Sequence, residues 1–537
     1  MNPDVIKKIC LWETLFVACF TCGCNILSAN RRSKAQVSVA AEFGATIGTL
    51  ADVVVPPAIP LEGYGLVGGL NGTGSAECSP PIRAYLKQYI LTQLPERMNI
   101  DKFIESLDTA VVRVEGILPA AASKNQPFDV RVTTLPGTQT ISLENGWLYG
   151  TELVLAGTFG ASTKALAKAE GPLFMDKIET SPANTRLAYV LGGGKVAAEN
   201  NINLVLRKSD FKITSLIRNR LDERFGYGTA KAVSPRVIEL NIPVKYKGQK
   251  QKFADLARTL YLDNLPDSSQ ERIKALIKRL IISKDKNEYE IALEAIGNES
   301  LNELSALLNS SSDEQIRLRA ARCMLNLGSD RSLPALREIA MNRNSAYRLE
   351  ALEAIATGGR RDDIASISRR LLRDPDFDIR LAAYEQLQNI SDIAVTQKFV
   401  ARSFYLEQTA QTDYKTVFVS RSGLPKIVLF GAPITCSNSI FVQSADGNIT
   451  INASPGDDYV TLIRKHPRRP GVMLQLKSSF DLASIILTLC DEPLAKDKQE
   501  HQGLGVSYSD MIALLKQMCD KGVIPAEFRA GPPLKIG

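Results

Sequence analysis

Six glycines fall among the thirteen residues from Gly63 to Ser75, and the first six residues of this stretch match the G-x-G-x-x-G pattern of dinucleotide-binding loops. In such loops the glycines let a pyrophosphate approach the N-terminus of a helix that follows a strand. The spacing therefore indicates a nucleotide cofactor only where a strand precedes the motif and a helix follows it at once.

The flanking residues argue against that cofactor. Three prolines lie between Val53 and Leu61, and proline cannot donate to the ladder of a central strand. Asn71-Gly72, a strong hairpin signal, and then Pro80-Pro81 follow in place of an amphipathic helix. Because glycine alone adopts positive φ without steric cost, we predict a glycine-studded strand and tight turn at a packing surface, and no cofactor.

Other residues that could do chemistry are also placed unfavourably. Gly192-Gly193-Gly194-Lys195 lacks the Ser or Thr that a phosphate loop needs for magnesium, since Val196 stands there, and we predict an ordinary loop. His466 and His501 lie in polar segments without a Cys or carboxylate at ligand spacing. We predict surface positions for both histidines and no metal site.

Cysteine usage leaves at most one disulfide open. Four of the nine cysteines crowd the N-terminus, at positions 10, 19, 22 and 24, and the other five are scattered singly. A dispersed, odd-numbered set cannot form a complete disulfide framework, although a single bridge remains open in an oxidising compartment.

The composition is that of an ordinary globular protein. The 537 residues are 45% hydrophobic and 23% charged, with a net charge of +7, which allows two to four domains with proper cores. No basic domain with interleaved aromatic residues stands out, so we predict no nucleic-acid partner.

The N-terminus has the parts of an export signal. Lys7 and Lys8 precede a short apolar run and small residues that end at Cys24. Thr21-Cys22-Gly23-Cys24 resembles a lipobox, in which Cys24 would be lipidated after cleavage and would anchor the chain to a membrane face. A buried N-terminal helix is the alternative.

Changes in pattern divide the remainder of the chain. An α+β domain is predicted where short β-rich runs alternate with turns and a few helices. Within it, Val111–Leu118 and Phe128–Leu135 are predicted as paired strands. A helix is predicted with Ser209 or Asp210 as its N-cap and Gly226 at its C-terminal end. The predicted segments are an export signal at 1–24, a tether at 25–48, the α+β domain at 49–265, helical repeats at 266–395 and a C-terminal α+β part at 396–537.

The repeats are indicated by three similar segments whose arginines, Arg317, Arg348 and Arg380, recur at a supersecondary spacing. This spacing resembles HEAT-like helix pairs that bury Leu and Ala faces by stacking. We expect the repeated arginines to bond with Asp residues of the turns.

The long glycine-rich string resembles the signature of the bacterial flagellar P-ring family. The residues that carry this resemblance, and that we take as an assembly or packing motif, are Gly63, Tyr64, Gly65, Leu66, Gly69, Leu70, Gly72 and Gly74. Further blocks of the family are similar to Gly116–Val132, to Leu204–Gly226 and to the C-terminal Leu504–Glu527. Between these blocks lies the helical insertion, which the family does not lead us to expect.

The resemblance implies a structural component of the periplasmic P ring, a bushing around the flagellar rod. The expected partners are further copies of the chain, the rod and the outer-membrane ring proteins, and no enzymatic activity is expected. An alternative is an envelope lipoprotein whose helical repeats bind a protein partner. An enzyme is disfavoured because the sequence contains no nucleophile–base pair, metal set or phosphate loop.

Overall fold

The computed structural model describes residues 39–75, 77–91, 104–158, 164–178, 184–263, 266–409, 412–467, 469–492 and 503–534. The predicted export segment, Cys24 and most of the predicted tether lie outside these ranges, as does His501. Within them no helix combines the length and the apolar character that a bilayer crossing requires.

Helices and strands are mixed along the described chain, which confirms the predicted α+β class. The strands are β1 Ala51–Val54, β2 Ile59–Gly68, β3 Thr109–Leu118, β4 Pro127–Thr134, β5 Trp147–Leu155, β6 Ala167–Pro172, β7 Leu187–Val196, β8 Ile202–Leu206, β9 Ala230–Ala232, β10 Val237–Leu240, β11 Val395–Val400, β12 Phe404–Thr409, β13 Thr416–Val419, β14 Lys426–Phe430, β15 Ile440–Gln443, β16 Ile449–Ala453, β17 Val460–His466, β18 Arg469–Ser478 and β19 Glu527–Ala530. The α-helices are α1 Ile47–Leu50, α2 Pro80–Leu91, α3 Phe211–Phe225, α4 Lys250–Thr259, α5 Pro266–Ile282, α6 Asn287–Ile296, α7 Leu301–Ser310, α8 Glu314–Asn326, α9 Leu333–Met341, α10 Arg348–Gly358, α11 Arg361–Leu371, α12 Phe377–Asn389, α13 Leu482–Cys490 and α14 Tyr508–Asp520.

A closed barrel of six strands contains the glycine-rich stretch. Its strands follow the order β2-β3-β4-β7-β6-β5, and β3 pairs with β4 as predicted. In β4 the alternating residues Phe128, Val130 and Val132 are buried, since successive side chains of a strand point to opposite faces. Their apolar side chains fill the barrel interior with those of its neighbours.

A small antiparallel sheet of order β1-β8-β10-β9 lies next in the chain and is covered by α3 and α4. The Asp210 carboxylate accepts bonds from the backbone N–H groups of Lys212 and Ile213, and Gly226 ends α3 at a φ of 107°. Both predicted caps are therefore confirmed. Ile217 and Leu221 are buried where α3 covers the sheet, whereas Leu216 is 47% exposed.

The predicted helical insertion is confirmed as two layers of stacked helices. One layer is formed by α6, α8, α10 and α12, each next to the following one, and the other by the alternate helices α5, α7, α9 and α11. The first layer continues at one end onto α4 and at the other onto the C-terminal sheet, where α12 shares a core with Phe418, Val428 and Phe430. The insertion is thus packed into the fold at both ends.

The repeated arginines follow the expected pairing with turn aspartates in one case of three. Arg348 and Asp374 form a buried ion pair with oxygen and nitrogen atoms 2.5 Å apart. Arg380 instead donates to the backbone carbonyls of Asp374 and Pro375, and Arg317 pairs with Glu338 of the next helix.

After the insertion, a five-stranded sheet of order β11-β12-β14-β13-β19 and a four-stranded sheet of order β15-β16-β17-β18 pack with α13 and α14 around one apolar core. Strands β14 and β16 belong to different sheets.

Two local predictions around the glycine motifs are wrong. Residues 192–195 form part of β7 and not a loop. Pro80-Pro81 open a helix, α2, because the ring of a proline is accommodated in the first turn, where its missing N–H is not needed. Asn71-Gly72 does form a tight turn, but the strands β2 and β3 are joined through α2 and not by a two-residue hairpin.

Candidate functional site

The glycine motif lies on β2, between two antiparallel neighbours in the barrel wall. Along its whole length β2 pairs with β3, and at its two ends it pairs with β5. The register with β5 shifts between Glu62 and Val67, so the middle of β2 is the irregular part of this seam. Two motif glycines, Gly63 and Gly65, lie on this strand, which ends at a third glycine, Gly68.

At these three glycines β5 comes too close for a side chain. A Cβ on Gly63 would lie under 3.0 Å from the Glu152 carbonyl oxygen, and one on Gly65 would lie under 3.0 Å from Thr151 Oγ1. A Cβ on Gly68 would lie 2.7 Å from the Tyr149 ring. Gly63 and Gly65 therefore let β5 approach β2 closely where the regular ladder is interrupted, and Gly68 does the same where the ladder resumes.

The second half of the motif is a turn. Asn71 has a φ of 52° and Gly72 a φ of 90°, and the N–H of Thr73 donates to the carbonyl of Leu70 across them at 3.1 Å. The Thr73 hydroxyl also donates to the Ser142 carbonyl, which ties the turn to the segment before β5. Gly69, with a φ of 79°, is required for its backbone conformation, since the space around its Cβ position is open.

The remaining motif residues face two cores. Leu70 is buried inside the barrel, and Leu66 is buried under α2 in a separate small cluster. Tyr64 is half-buried beside Leu66, and Gly74 approaches the Thr109 carbonyl so closely that a Cβ would collide with it. All eight motif residues thus lie in or beside the β2 seam.

The geometry does not fit a pyrophosphate cradle. Gly68 ends a barrel strand, and the next helix, α2, begins only at Pro80 after the Asn71-Gly72 turn. A dinucleotide site would need the glycines at the start of the helix whose N–H groups bind the phosphates.

One buried charge in the seam escaped the sequence analysis. Glu62 is 7% exposed, accepts a bond from the Gly157 N–H at 2.8 Å and pairs with Arg113 of β3 at 3.0 Å. Because a buried carboxylate is costly unless it is paired, Glu62 ties β2 to both neighbours. Its position among apolar residues could have been a signal, but its partners are distant in sequence.

The barrel docks against the C-terminal region through a second set of charges. Lys177, which follows β6, contacts both Glu144 and Asp510 of α14. Burial alone would lower the pKa of Lys177, but the charges and hydrogen bonds of Asp510 and Glu144 raise it above its ordinary value. Asp176 pairs in the same way with Arg421.

Apolar and backbone contacts complete this junction. The rings of Phe174 and Tyr508 lie 5.7 Å apart, and the Tyr508 hydroxyl donates to the Ser420 carbonyl at 2.7 Å. Asp129 of β4 accepts from the backbone N–H groups of Gly192 and Gly423. The C-terminal block that carries the sequence resemblance is therefore adjacent to the barrel, although the helical insertion separates them in the chain.

No set of three or more His, Cys, Asp or Glu side chains in the described ranges is placed to hold a metal ion. His466 ends β17, and the five described cysteines are free thiols. The contacts that characterise the motif are therefore the close approaches of β2 to β5 and of the turn after β2 to the segment before β5.

Comparison with known proteins finds a similar family for the part of the chain that contains the barrel. Residues 47–273 match the family model described as flagellar P-ring protein. This part of the chain is therefore similar to the flagellar P-ring family. It contains the barrel, the sheet of β1 and β8–β10 with α3 and α4, and the start of α5, while the rest of the insertion lies beyond the match.

Individual P-ring proteins are similar to the chain over comparable lengths. The flagellar P-ring protein of Nitrosomonas europaea is 30% identical over 235 residues, which cover 41% of this chain and 61% of the relative. That of Methylobacillus flagellatus is 28% identical, covering 38% and 55%, and that of Escherichia fergusonii is 25% identical, covering 42% and 64%. The chain thus spans between 55% and 64% of the length of these three relatives.

Proposed function

We propose that the chain is a structural subunit of the flagellar P ring, located in the periplasm and acting as a bushing around the rod without enzymatic activity. The observation that carries the proposal is the family match over residues 47–273, within which the motif glycines form the β2 seam of a closed barrel. The sequence resemblance of Leu504–Glu527 to the family's C-terminus supports it further, since this block packs beside the barrel.

The proposed mechanism is geometric. Identical subunits associate head to tail through heterologous contacts, and a constant rotation between neighbours closes the ring. The motif glycines contribute by fixing the shape of the barrel wall. Further copies of the chain, the rod and the outer-membrane ring proteins are the proposed partners.

Electron microscopy of the exported, purified chain tests the proposal. We expect closed rings, and we expect basal bodies from the native cell to lack the P ring when the chain is deleted. A Gly65→Val variant should form no rings and should abolish motility. Gly248→Val is the control and should retain ring formation and motility, because Gly248 has an ordinary φ and open space around its Cβ position. A chain that stays monomeric while its deletion leaves basal bodies complete would refute the proposal.

A second candidate function is an envelope adaptor whose helical layer binds a protein. The observation that favours it is the polar cavity that the insertion forms with α4. Lipidation of Cys24, which would anchor such an adaptor, is testable by mass spectrometry of the mature N-terminus. An unlipidated, ring-forming chain would exclude the lipoprotein hypothesis.

A further inference from the structure

A cavity of about 270 Å³ opens where the insertion meets the P-ring-family region. It is lined by α4 on one side and by α6, α8 and α10 of the insertion on the other. Binding sites for small molecules usually measure about 300 to 1,000 Å³. The cavity is therefore large enough for a small group such as the charged end of one side chain. It also lies on the open face of a stacked-helix array, where such arrays commonly bind partners.

The charge of the lining is predominantly negative. Five carboxylates and two cationic side chains line the cavity: Asp255, Glu290, Glu294, Glu350 and Glu353 face Lys252 and Arg322. Some of this charge is neutralised internally, since Glu290 binds Arg319 and Arg322 at 2.8 and 2.6 Å and Glu294 binds Lys252 at 3.0 Å.

Two carboxylates at the rim remain available. Glu350 is 3.9 Å from Arg322, which is a loose contact, and its side chain is 49% exposed. Glu353, one helical turn further along α10, is exposed as well. Burial alone would lower the pKa of Arg322, but Glu290, Glu350 and Glu353 raise it, which reflects the negative field at this point.

Buried acceptors inside the cavity lack donors. Glu294 is 1% exposed and Asn326 is 6% exposed, yet Glu294 Oε1 and Asn326 Oδ1 have no hydrogen-bond partner, and neither does Gln249 Oε1 beside them. The hydroxyl of Tyr246 lies beside the Glu294 carboxylate, and its pKa is raised first by burial and then by the charge of Glu294. A buried acceptor without a donor destabilises the folded chain.

A ligand that brings N–H donors and positive charge satisfies these groups and the rim carboxylates together. An anion would meet the Glu350 and Glu353 carboxylates at the rim, and an apolar group would leave the orphan oxygens without donors. A guanidinium or ammonium group offers three to five donors together with its charge.

We propose that this cavity binds an arginine or lysine side chain presented by an extended basic segment of a protein partner. The head group enters between α4 and α8, where it donates to Glu294 and Asn326, and the rim carboxylates of α10 attract the neighbouring basic residues of the same segment. The inference does not depend on ring assembly, because the cavity lies within one chain.

Calorimetric titration of the full-length exported chain tests the proposal, with an acetylated, amidated peptide of alternating arginine and glycine as the first probe. N-acetyl-arginine methylamide is the second probe and presents a single side chain. We expect the peptide to bind more tightly than the single side chain, and its affinity to fall as salt is raised, since exposed charges are screened. Equal affinities would overturn the partner-segment part of the proposal and leave a site for a free small cation.

Variants separate the cavity from general charge. Glu350→Gln and Glu353→Gln, both at exposed positions, should each weaken peptide binding about two- to fivefold, the range for an exposed ion pair. Glu303→Gln on α7, which does not line the cavity, should leave the affinity unchanged. Binding that is absent in low salt, or that is equal in the two rim variants and the control, would overturn the proposal.

Glu294→Gln tests the interior directly. It should weaken the peptide more than about tenfold, since a buried charge partner is removed. Because Lys252 would lose its partner, the melting temperature of this variant is measured alongside. A folded Glu294→Gln protein with unchanged affinity would contradict the proposed binding mode.

Discussion

Replacement of Gly65 by alanine isolates the role of the β2–β5 seam. The new Cβ would lie under 3.0 Å from Thr151 Oγ1, 3.1 Å from Thr151 Cγ2 and 3.2 Å from Leu148 Cδ1. Thr151 is 1% exposed, and its hydroxyl donates to the Tyr149 carbonyl at 2.8 Å, so it cannot simply turn away. Overpacking of this kind destabilises a protein by about 1 to 3 kcal/mol.

For a domain of the barrel's size, this loss corresponds to a melting temperature lower by about 2 to 12 °C. Trp147 at the start of β5 is the sole tryptophan outside the predicted export segment, so its fluorescence reports barrel unfolding separately from the helical array. Gly63→Ala should cost more than Gly65→Ala, because its Cβ meets the Glu152 backbone carbonyl, which cannot change rotamer.

A double mutant supplies the decisive control. Thr151→Ala alone should destabilise the barrel by about 1 kcal/mol through loss of the hydroxyl bond. Combined with Gly65→Ala it should restore part of the loss, giving a favourable coupling energy of about 0.5 to 3 kcal/mol. Thr151→Ser keeps the colliding hydroxyl and should rescue less. Strictly additive effects of Gly65→Ala and Thr151→Ala would refute the close-approach explanation.

Three further outcomes are expected. Tyr384→Phe removes a donor to the fully buried Glu407 carboxylate and should cost about 1.5 to 3 kcal/mol in urea denaturation of the helical region. Asp210→Ala removes the N-cap of α3 and should destabilise this helix by about 1 kcal/mol, and Asp210→Asn should destabilise it much less. Rates of amide hydrogen exchange in α3 measure both effects. Burial would raise the pKa of Asp374, but Arg348 holds it below its usual 3.8. The Asp374 carboxylate therefore stabilises the fold above about pH 4, and this contribution is lost as the pH falls through the lowered folded-state pKa. Asp374→Asn should make the stability less dependent on pH in this acid range.

Local signals in the sequence were sufficient for many elements. The apolar alternation of β4, the caps of α3 and the arginine spacing of the insertion all depend on residues close together in the chain. The rejection of a phosphate cradle at Gly63–Gly68 also depends on local context, namely the delay before the next helix.

Features that depend on distant segments were not predictable. Residues 192–195 are predicted as a loop, and glycines are poor strand formers. The strand β7 is nevertheless held there between β4 and β6, and the Phe128 ring fills the space beside Gly194. Burial of Glu62 depends on Arg113 and Gly157, and the cavity above depends on four helices that meet only in the folded chain.

The structure also changes the choice of experiment for the insertion. Deleting residues 266–395 would remove the helix that covers Phe418, Val428 and Phe430 of the C-terminal sheet. Loss of function after such a deletion would therefore report unfolding as readily as a lost partner. Surface variants such as Glu350→Gln leave this shared core intact.

The pairing of distant strands has a consequence for the order of folding. In the small sheet Ala51 pairs with Leu206, and in the C-terminal sheet Thr416 pairs with Glu527, whereas the stacked helices contact mainly their sequence neighbours. Local contacts form faster than distant ones because less loop entropy is lost beforehand. We therefore expect the insertion to fold first and to hold α4 and β12 in place as a template, with β19 joining β13 as one of the last steps.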